Sequence, residues 1–398
     1  MRSVCALHGR PANPCFLRTR LTRVSGALDL SLLRRWPDVE APGLVAADAA
    51  DLLILDESES ARAETGPDEV TVIGDSYGAL TLGAAAAGAE GIRVHQDPLS
   101  GEAALAANAK RLVPQATFTS LPLDAALVAG ARVVLLRLPR SLDALADIAG
   151  TIAAAASPDV VVYAGGRIKH MTVAMNDVLR GSFERLDVTH ARGKSRVLVA
   201  RGPLPQTTLP EARSGRSDGI EIRAYGGAFA GPRLDIGTRL LLANLPETAP
   251  GGTADDPWID FACGTGVVAA AWATRHPDVR VYASDQSAAA VASAAATMRA
   301  NGVSERVEVV RDDLLARRPD ASASLIALNP PFHSGAAVSD RIAPRLFRDA
   351  ARVLRPRGEL WCVWNSALQY RAELERVVGP TRQVARDPKF TVTVSTRR

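Results

Sequence analysis

The sequence predicts an α/β chain made of two tandem, doubly wound domains. Three observations carry this reading. At 398 residues the chain is long for one ordinary domain, and two domains of roughly 200 residues are the natural division. Apolar, β-branched runs of strand length alternate with alanine-rich helical runs, and the alternation occurs twice. Between the two passages, residues 203–219 are rich in Pro, Gly, Ser and Thr and lack periodicity, which marks a linker. The expected division is a terminus over 1–27, a first domain over 28–202, the linker, and a second domain over 220–398.

The elements follow in order. Residues 1–27 hold Arg2, Arg10, Arg18, Arg20 and Arg23 without one acid. They are expected to be disordered or an overlong start, the alternative being a basic arm that touches RNA. Residues 32–54 read as an apolar helix. Val70-Thr71-Val72-Ile73-Gly74 is a strand, rich in β-branched residues and ended by glycine, and an alanine-rich helix follows to residue 87. Further strands are expected at 92–95, 132–136, 160–163, 184–190 and 195–200, with helices at 102–112, 142–156 and 172–180. In the second half the expected strands are 221–225, 257–262, 279–284, 307–311, 324–328 and 360–364. Helices are expected at 237–245, 267–274, 288–300 and 342–354. Residues 382–385 and 390–395 close the chain as an antiparallel hairpin edge. Two halves of similar order suggest a duplicated domain.

Composition excludes several classes. Hydrophobic content of 47% with 23% charged residues is that of a globular, soluble chain. No apolar run approaches the ~20 residues that span a bilayer, so no membrane partner is expected. The N-terminus lacks the continuous apolar segment of a secretory signal. Cys5, Cys15, Cys263 and Cys362 are scattered without ligand spacing, which argues for a reducing cytoplasm and against a disulfide framework or metal site. A net charge of +4 suits a polyanionic partner without demanding one.

The chemistry gathers at strand ends in the second half. Asn329-Pro330-Pro331-Phe332 follows an apolar strand, and two prolines cannot donate to a ladder, so the strand must end in a rigid rim. That rim offers an amide, carbonyls without neighbouring N–H groups, and an aromatic face, which suits a planar base or amide bearing an NH2. Asp260-Phe261-Ala262-Cys263-Gly264-Thr265-Gly266 joins a strand to a helix, its glycines allowing a tight turn and close approach to a ligand. The spacing is not that of a dinucleotide fingerprint, and Asp260 would repel phosphate, so the ligand is expected to be cationic or zwitterionic there. Tyr282-Ala283-Ser284-Asp285 ends the next strand in an acid suited to ribose hydroxyls. Asp312 and Asp313 end the one after, in position for an adenine amino group. Each tip alone has an ordinary reading as a turn or helix cap. Four on successive strands point to a site.

Together these residues resemble class I S-adenosylmethionine-dependent methyltransferases. The closer resemblance is to the bacterial ribosomal RNA guanine-N2 methyltransferases of the RsmC/RlmG type. Asp260 to Gly266 matches their first motif, Asn329-Pro330-Pro331-Phe332-His333 their signature, Arg233-Leu234-Asp235-Ile236-Gly237 a segment before the first motif, and Lys389-Phe390 a late pair. The resemblance covers nearly the whole chain and implies two Rossmann-like methyltransferase domains. It implies S-adenosyl-L-methionine as cofactor, held by Asp260, Cys263, Gly264, Gly266, Asp285, Asp312 and Asp313. Asn329, Pro330 and Phe332 would be catalytic, and Pro331, His333, Lys389 and Phe390 would bind substrate. The implied partner is ribosomal RNA or an assembling subunit, the large subunit preferred, met by a monomer in the cytoplasm. Two departures stand out: Ala262 where glycine is commoner, and a divergent Phe229-Ala230-Gly231-Pro232.

The expected mechanism is electronic. A guanine N2 lone pair is delocalised into the ring, and hydrogen bonds from the amine to the Asn329 side-chain oxygen and the Pro330 carbonyl would localise it. Phe332 would stack on a base flipped out of its helix, worth about 1–3 kcal/mol. The first half lacks this equipment. Its equivalent turn is Ile73-Gly74-Asp75-Ser76-Tyr77-Gly78, and Leu138-Pro139-Arg140 stands where the rim would be. It reads as a degenerate copy for RNA docking or scaffolding, with Arg137, Arg140, Arg167, Lys169, Arg192, Lys194 and Arg196 as phosphate-contact candidates. Methylation of a protein glutamine, for which the same rim would serve, and non-catalytic RNA binding in ribosome assembly are the alternatives.

Overall fold

A computed structural model describes residues 28–331 and 336–398. Its first half is a seven-stranded sheet built from β1 (Val70–Ile73), β2 (Ile92–His95), β3 (Phe118–Ser120), β4 (Val133–Arg137), β5 (Val161–Arg167), β6 (Phe183–Val188) and β7 (Ser195–Pro203). Helices α1 (Ala49–Glu57), α2 (Glu59–Ala63), α3 (Ala79–Ala86), α4 (Leu99–Leu112), α5 (Ala125–Val128), α6 (Leu142–Ala155) and α7 (Val173–Arg180) accompany it. A two-stranded hairpin, β8 (Arg213–Ser217) and β9 (Ile220–Ala224), joins the halves.

The second half repeats the plan. Its sheet comprises β10 (Trp258–Phe261), β11 (Val281–Asp285), β12 (Val307–Arg311), β13 (Ala323–Leu328), β14 (Leu354–Asn365), β15 (Thr381–Arg386) and β16 (Phe390–Thr396). Its helices are α8 (Ile236–Leu242), α9 (Val267–Arg275), α10 (Ala288–Ala300), α11 (Ala336–Val353) and α12 (Arg371–Val377). The strand orders are β3-β2-β1-β4-β5-β7-β6 and β12-β11-β10-β13-β14-β16-β15, the same order twice. In each sheet all strands run parallel except one, β7 in the first and β16 in the second, which is antiparallel to both of its neighbours.

Parallel strands need cover on both faces, and the pattern obeys this: all four residues of β1 and of β10 are buried. Trp272 of α9 is fully buried and meets Trp258 of β10 edge to face at 5.4 Å. Burying each such side chain is worth about 1.5–3 kcal/mol, which fixes the helix on the sheet. The chain leaves β10 toward β11 and β12, then crosses back to β13. The crevice between β10 and β13 is therefore the topological switch point, where open α/β sheets bind ligands.

Several local expectations give way. The helix expected over 32–54 is confined to α1, because Pro37, Pro42 and Gly43 interrupt what precedes it. Asp48 caps α1, accepting from Ala50 N at 2.7 Å. Part of the stretch expected to be a linker forms β8, whose Arg213 pairs with Asp147 of α6 at 2.8 Å. The short elements β3, α5 and α12 were not expected. Residues 1–27, Phe332 and His333 lie outside the described residues.

Candidate functional site

Register brings the strand tips together. Phe261 lies opposite Ser284 of β11 and Leu328 of β13, and Asp285 lies opposite Arg311 of β12. The residues that follow emerge along one edge and line a cavity of about 430 Å³. Asp260, Cys263, Gly264, Asp285, Asp312, Asp313, Asn329, Pro330 and Pro331 all line it. Its size is that of a small-molecule site.

The turn after β10 is left-handed at alternate positions. Ala262, Gly264 and Gly266 have φ of 56°, 54° and 73°. Glycine adopts this freely, whereas alanine does so at a cost of about 1 kcal/mol or more. Gly264 N donates to Asp285 Oδ2 at 3.0 Å, tying the two motifs together. Gly266 is not in the cavity wall. A Cβ there would come within 2.9 Å of Ala294 Cβ, so its absence lets α9 and α10 pack closely.

Carboxylates dominate the electrostatics. Asp260 is buried and accepts from Ala269 N at 3.0 Å through Oδ2. Burial pushes its pKa up to about 8, opposed by that hydrogen bond and reinforced by Asp285. Burial likewise raises Asp285, opposed by hydrogen bonds from Ser287 and Gly264. Asp313 is raised by burial, with Arg345 opposing. Burial, then Asp260 and Asp285, push the Cys263 thiol far up, so it stays neutral and is no nucleophile. Asp260, Asp285 and Asp313, which burial makes resist ionisation, favour a ligand that brings positive charge. S-adenosylmethionine, with its sulfonium and ammonium, fits this donor set.

At the rim, Asn329 is oriented by α8. Its Nδ2 donates to Asp235 Oδ2 at 3.2 Å and to Thr238 Oγ1 at 2.9 Å. Asp235 also caps α8, accepting from Thr238 N at 3.1 Å. A carboxylate can only accept, so the amide nitrogen must face it and the oxygen must face away. That oxygen is buried and has no partner among the described residues. An unpaired buried acceptor costs about 1–3 kcal/mol, a cost that a ligand N–H would remove.

The late pair divides. Lys389 is exposed, its Nζ 5.4 Å from the centre of the Phe390 ring. Phe390 is buried in the core and does not line the cavity. Its ring lies where a Cβ on Gly237 would meet Cε1 at 3.2 Å, so it supports α8 from beneath. Asp235 and Thr238 were not singled out individually, although an aspartate before an apolar helical run is a cap signal. Asp38, Asp97, Pro98 and Ser100 also line the cavity, contributed by the first half.

The equivalent turn in the first half is filled by its own side chains. Tyr77 Oη donates to Asp38 Oδ2 at 2.6 Å, and Arg35 lies 4.5 Å over its ring. Asp75 is spent on Gly78 N at 3.0 Å and Thr81 N at 2.8 Å. Of the basic candidates, Arg137 is engaged by Asp48 and Asp51, and Arg192 by Asp56 and Glu57. Arg140, Arg167 and Lys169 line a separate cleft of about 450 Å³ beyond β4 and β5.

Comparison with known proteins extends the picture. Residues 22–203 match the RLMG N-terminal domain and residues 219–394 the methyltransferase small domain. The chain is 32% identical to the ribosomal RNA large subunit methyltransferase G of Shewanella amazonensis, over 90% of this chain and 94% of that protein. It is 34% identical to the protein of the same name from Streptomyces coelicolor, over 91% and 96%. Among solved structures, the T. thermophilus 16S rRNA N2 methyltransferase RsmC, in complex with AdoMet and guanosine, superposes with a TM-score of 0.69 at 21% identity. It covers 90% of this chain and 97% of its own. That likeness establishes the tandem fold.

Proposed function

The chain belongs to the ribosomal RNA large subunit methyltransferase G family, and we infer that it methylates the exocyclic N2 amine of a guanine in large-subunit ribosomal RNA. S-adenosylmethionine supplies the methyl group as an electrophilic sulfonium. The observation that carries the guanine assignment is the orphaned Asn329 side-chain oxygen, whose direction Asp235 and Thr238 fix.

The residues act by holding and aiming. Asn329 Oδ1 and the Pro330 carbonyl accept the two amine hydrogens and turn the nitrogen lone pair out of conjugation. Pro331, without an N–H, leaves the Pro330 carbonyl free of a competing neighbour donor. Asp285 takes the ribose hydroxyls, and Asp312 and Asp313 the adenine edge. Asp260 and the turn from Ala262 to Gly266 accommodate the cationic methionine end. Phe332 stacks on the base and His333 contacts it or its backbone. Lys389 reaches phosphate, and Arg140, Arg167 and Lys169 offer the first half's docking surface for RNA. We take the enzyme to be a cytoplasmic monomer acting on RNA that is free or within an assembling subunit. Among the described residues no helix is long and apolar enough to cross a membrane.

The test is transfer of labelled methyl to ribosomal RNA from cells lacking the gene, followed by nucleoside mass spectrometry. N2-methylguanosine should form with the wild-type chain and be lost with Asn329→Ala. Transfer to a protein glutamine instead, with none to RNA or subunits, would overturn the substrate assignment.

A further inference from the structure

The cofactor cavity is not built by the second half alone. The segment 96–102 of the first half reaches the tips of both β11 and β12. Asp97 Oδ1 accepts from Ser287 Oγ at 3.0 Å and Ala289 N at 2.9 Å, and its main-chain oxygen accepts from Ala288 N at 2.9 Å. Leu99 N donates to Gln286 O at 3.0 Å, and Pro98 bridges Ser287 in antiparallel fashion. One residue further along the chain, Ser287 caps α10 by accepting from Ala290 N at 3.1 Å. The start of α10 thus has two caps, one from its own chain segment and one from residues about 190 positions away.

Arg311 makes the second tie. It pairs with Glu102 of α4 at 2.6 Å and donates to the carbonyls of Gln96 at 2.8 Å and Asp97 at 3.0 Å. It also donates to Gln286 O at 3.3 Å. Both partners of the ion pair are mostly shielded, at 25% and 22% side-chain exposure, so the pair is stronger than a surface one. Arg311 directly precedes Asp312, and Gln286 directly follows Asp285. One segment therefore grips the residues next to Asp285 and Asp312, two of the three acids assigned to the adenosine.

We propose that segment 96–102 of the first half is a positioning clamp for the adenosine end of the cofactor, with Asp97 and Glu102 its anchoring residues. The inference rests on the S-adenosylmethionine reading above. Asp285 depends for its aim on the turn into α10, where Ser287 N donates to its Oδ1 at 2.9 Å. Without Asp97, Ala289 N and Ser287 Oγ lose their acceptor and that turn loosens. Without the pair to Glu102, the tip of β12 loses its tie to α4. Neither anchor contacts the Asn329 rim, so the clamp sets cofactor affinity and leaves methyl transfer from bound cofactor alone. The first half, whose own turn is plugged by Tyr77, serves as one wall of its neighbour's site.

The experiment uses the full chain, with calorimetric titration of S-adenosylhomocysteine and steady-state kinetics on ribosomal RNA. Asp97→Ala and Glu102→Gln should each raise the Kd for S-adenosylhomocysteine and the KM for S-adenosylmethionine about tenfold. The kcat at saturating cofactor and the KM for RNA should stay within about twofold of wild type. Asp97→Asn keeps an acceptor oxygen and should recover most of the affinity. Glu102→Gln, which leaves the segment's backbone bonds intact, guards against a misfolded Asp97→Ala. Wild-type affinity in both variants, or equal losses in cofactor affinity, RNA KM and kcat, would overturn the clamp. A wild-type chain that binds no S-adenosylhomocysteine would overturn the cofactor reading itself, and the clamp with it.

Discussion

Asn329 and Asp235, far apart in sequence, meet at 3.2 Å through the amide nitrogen of one and Oδ2 of the other. The contact decides which face of the amide the cavity receives. Asp235→Ala frees the Asn329 side chain to rotate or to present its nitrogen. We expect kcat to fall about 10–100-fold, the cost of one charge-assisted hydrogen bond of about 1.5–3 kcal/mol. Calorimetry should find cofactor affinity little changed. A parallel loss of cofactor binding would mean that Asp235 acts through the cavity as a whole.

Asp260 couples cofactor binding to protons. Its pKa is raised from 3.8 to about 8, so the folded, ligand-free chain holds a proton there that the unfolded chain releases. The group's contribution to stability is therefore full below about 4 and is lost as pH rises through 8. A sulfonium nearby favours the carboxylate, so binding expels the proton. The affinity ratio of S-adenosylmethionine over S-adenosylhomocysteine should rise between pH 6 and 8, and calorimetry in buffers of different ionisation enthalpy should register proton release. Asp260→Asn should flatten this dependence. A ratio that does not move with pH in the wild type would count against the assignment.

Ala262 carries the left-handed φ of 56° that glycine adopts more easily. Ala262→Gly should stabilise the chain by about 0.5–1 kcal/mol despite the entropy that glycine adds to the unfolded state. That corresponds to a rise in Tm of about 1–4 °C by thermal denaturation. Ala262→Val, branched at Cβ, should lower Tm instead.

Gly264 and Gly266 should fail differently when replaced by alanine. A Cβ on Gly264 meets nothing within 4 Å, so Gly264→Ala should fold while losing cofactor affinity through strain in the turn. A Cβ on Gly266 would lie 2.8 Å from Met298 Cε and 2.9 Å from Ala294 Cβ. Gly266→Ala should cost about 1–3 kcal/mol of stability, from overpacking as well as backbone strain. Denaturant melts beside cofactor titrations separate the two cases. Equal melting of both variants would contradict the packing role of Gly266.

Most of the second domain's site was legible because its motifs are local. A strand, a glycine turn and an acid at the next strand's tip are each written within a few residues, as Asp260 to Gly266 and Asp285 show. What was not legible depends on distance or on interruption. Asp97 and Ser287 meet only after both halves fold, and neither residue announces the other. Residues 32–54 look apolar and helical in composition, yet Pro37, Pro42 and Gly43 leave only α1. Phe390 illustrates a third cause: the resemblance gave it a substrate role, but its burial beneath α8 is visible only in the fold. β8 shows that Gly and Ser in a polar stretch do not preclude a hairpin when Ile220 and Ile222 opposite can be buried.

The two prolines of the rim have a bearing on product stoichiometry. Pro330 and Pro331 have no N–H, and Asn329 turns its own nitrogen toward α8, so this edge takes hydrogens and gives none. An unmodified amine brings two hydrogens for two acceptors. Once methylated it brings one, with a carbon where the other hydrogen was. On the proposed mechanism a second transfer would begin from a base held by half as many bonds, so the rim would disfavour a second addition by counting protons on nitrogen.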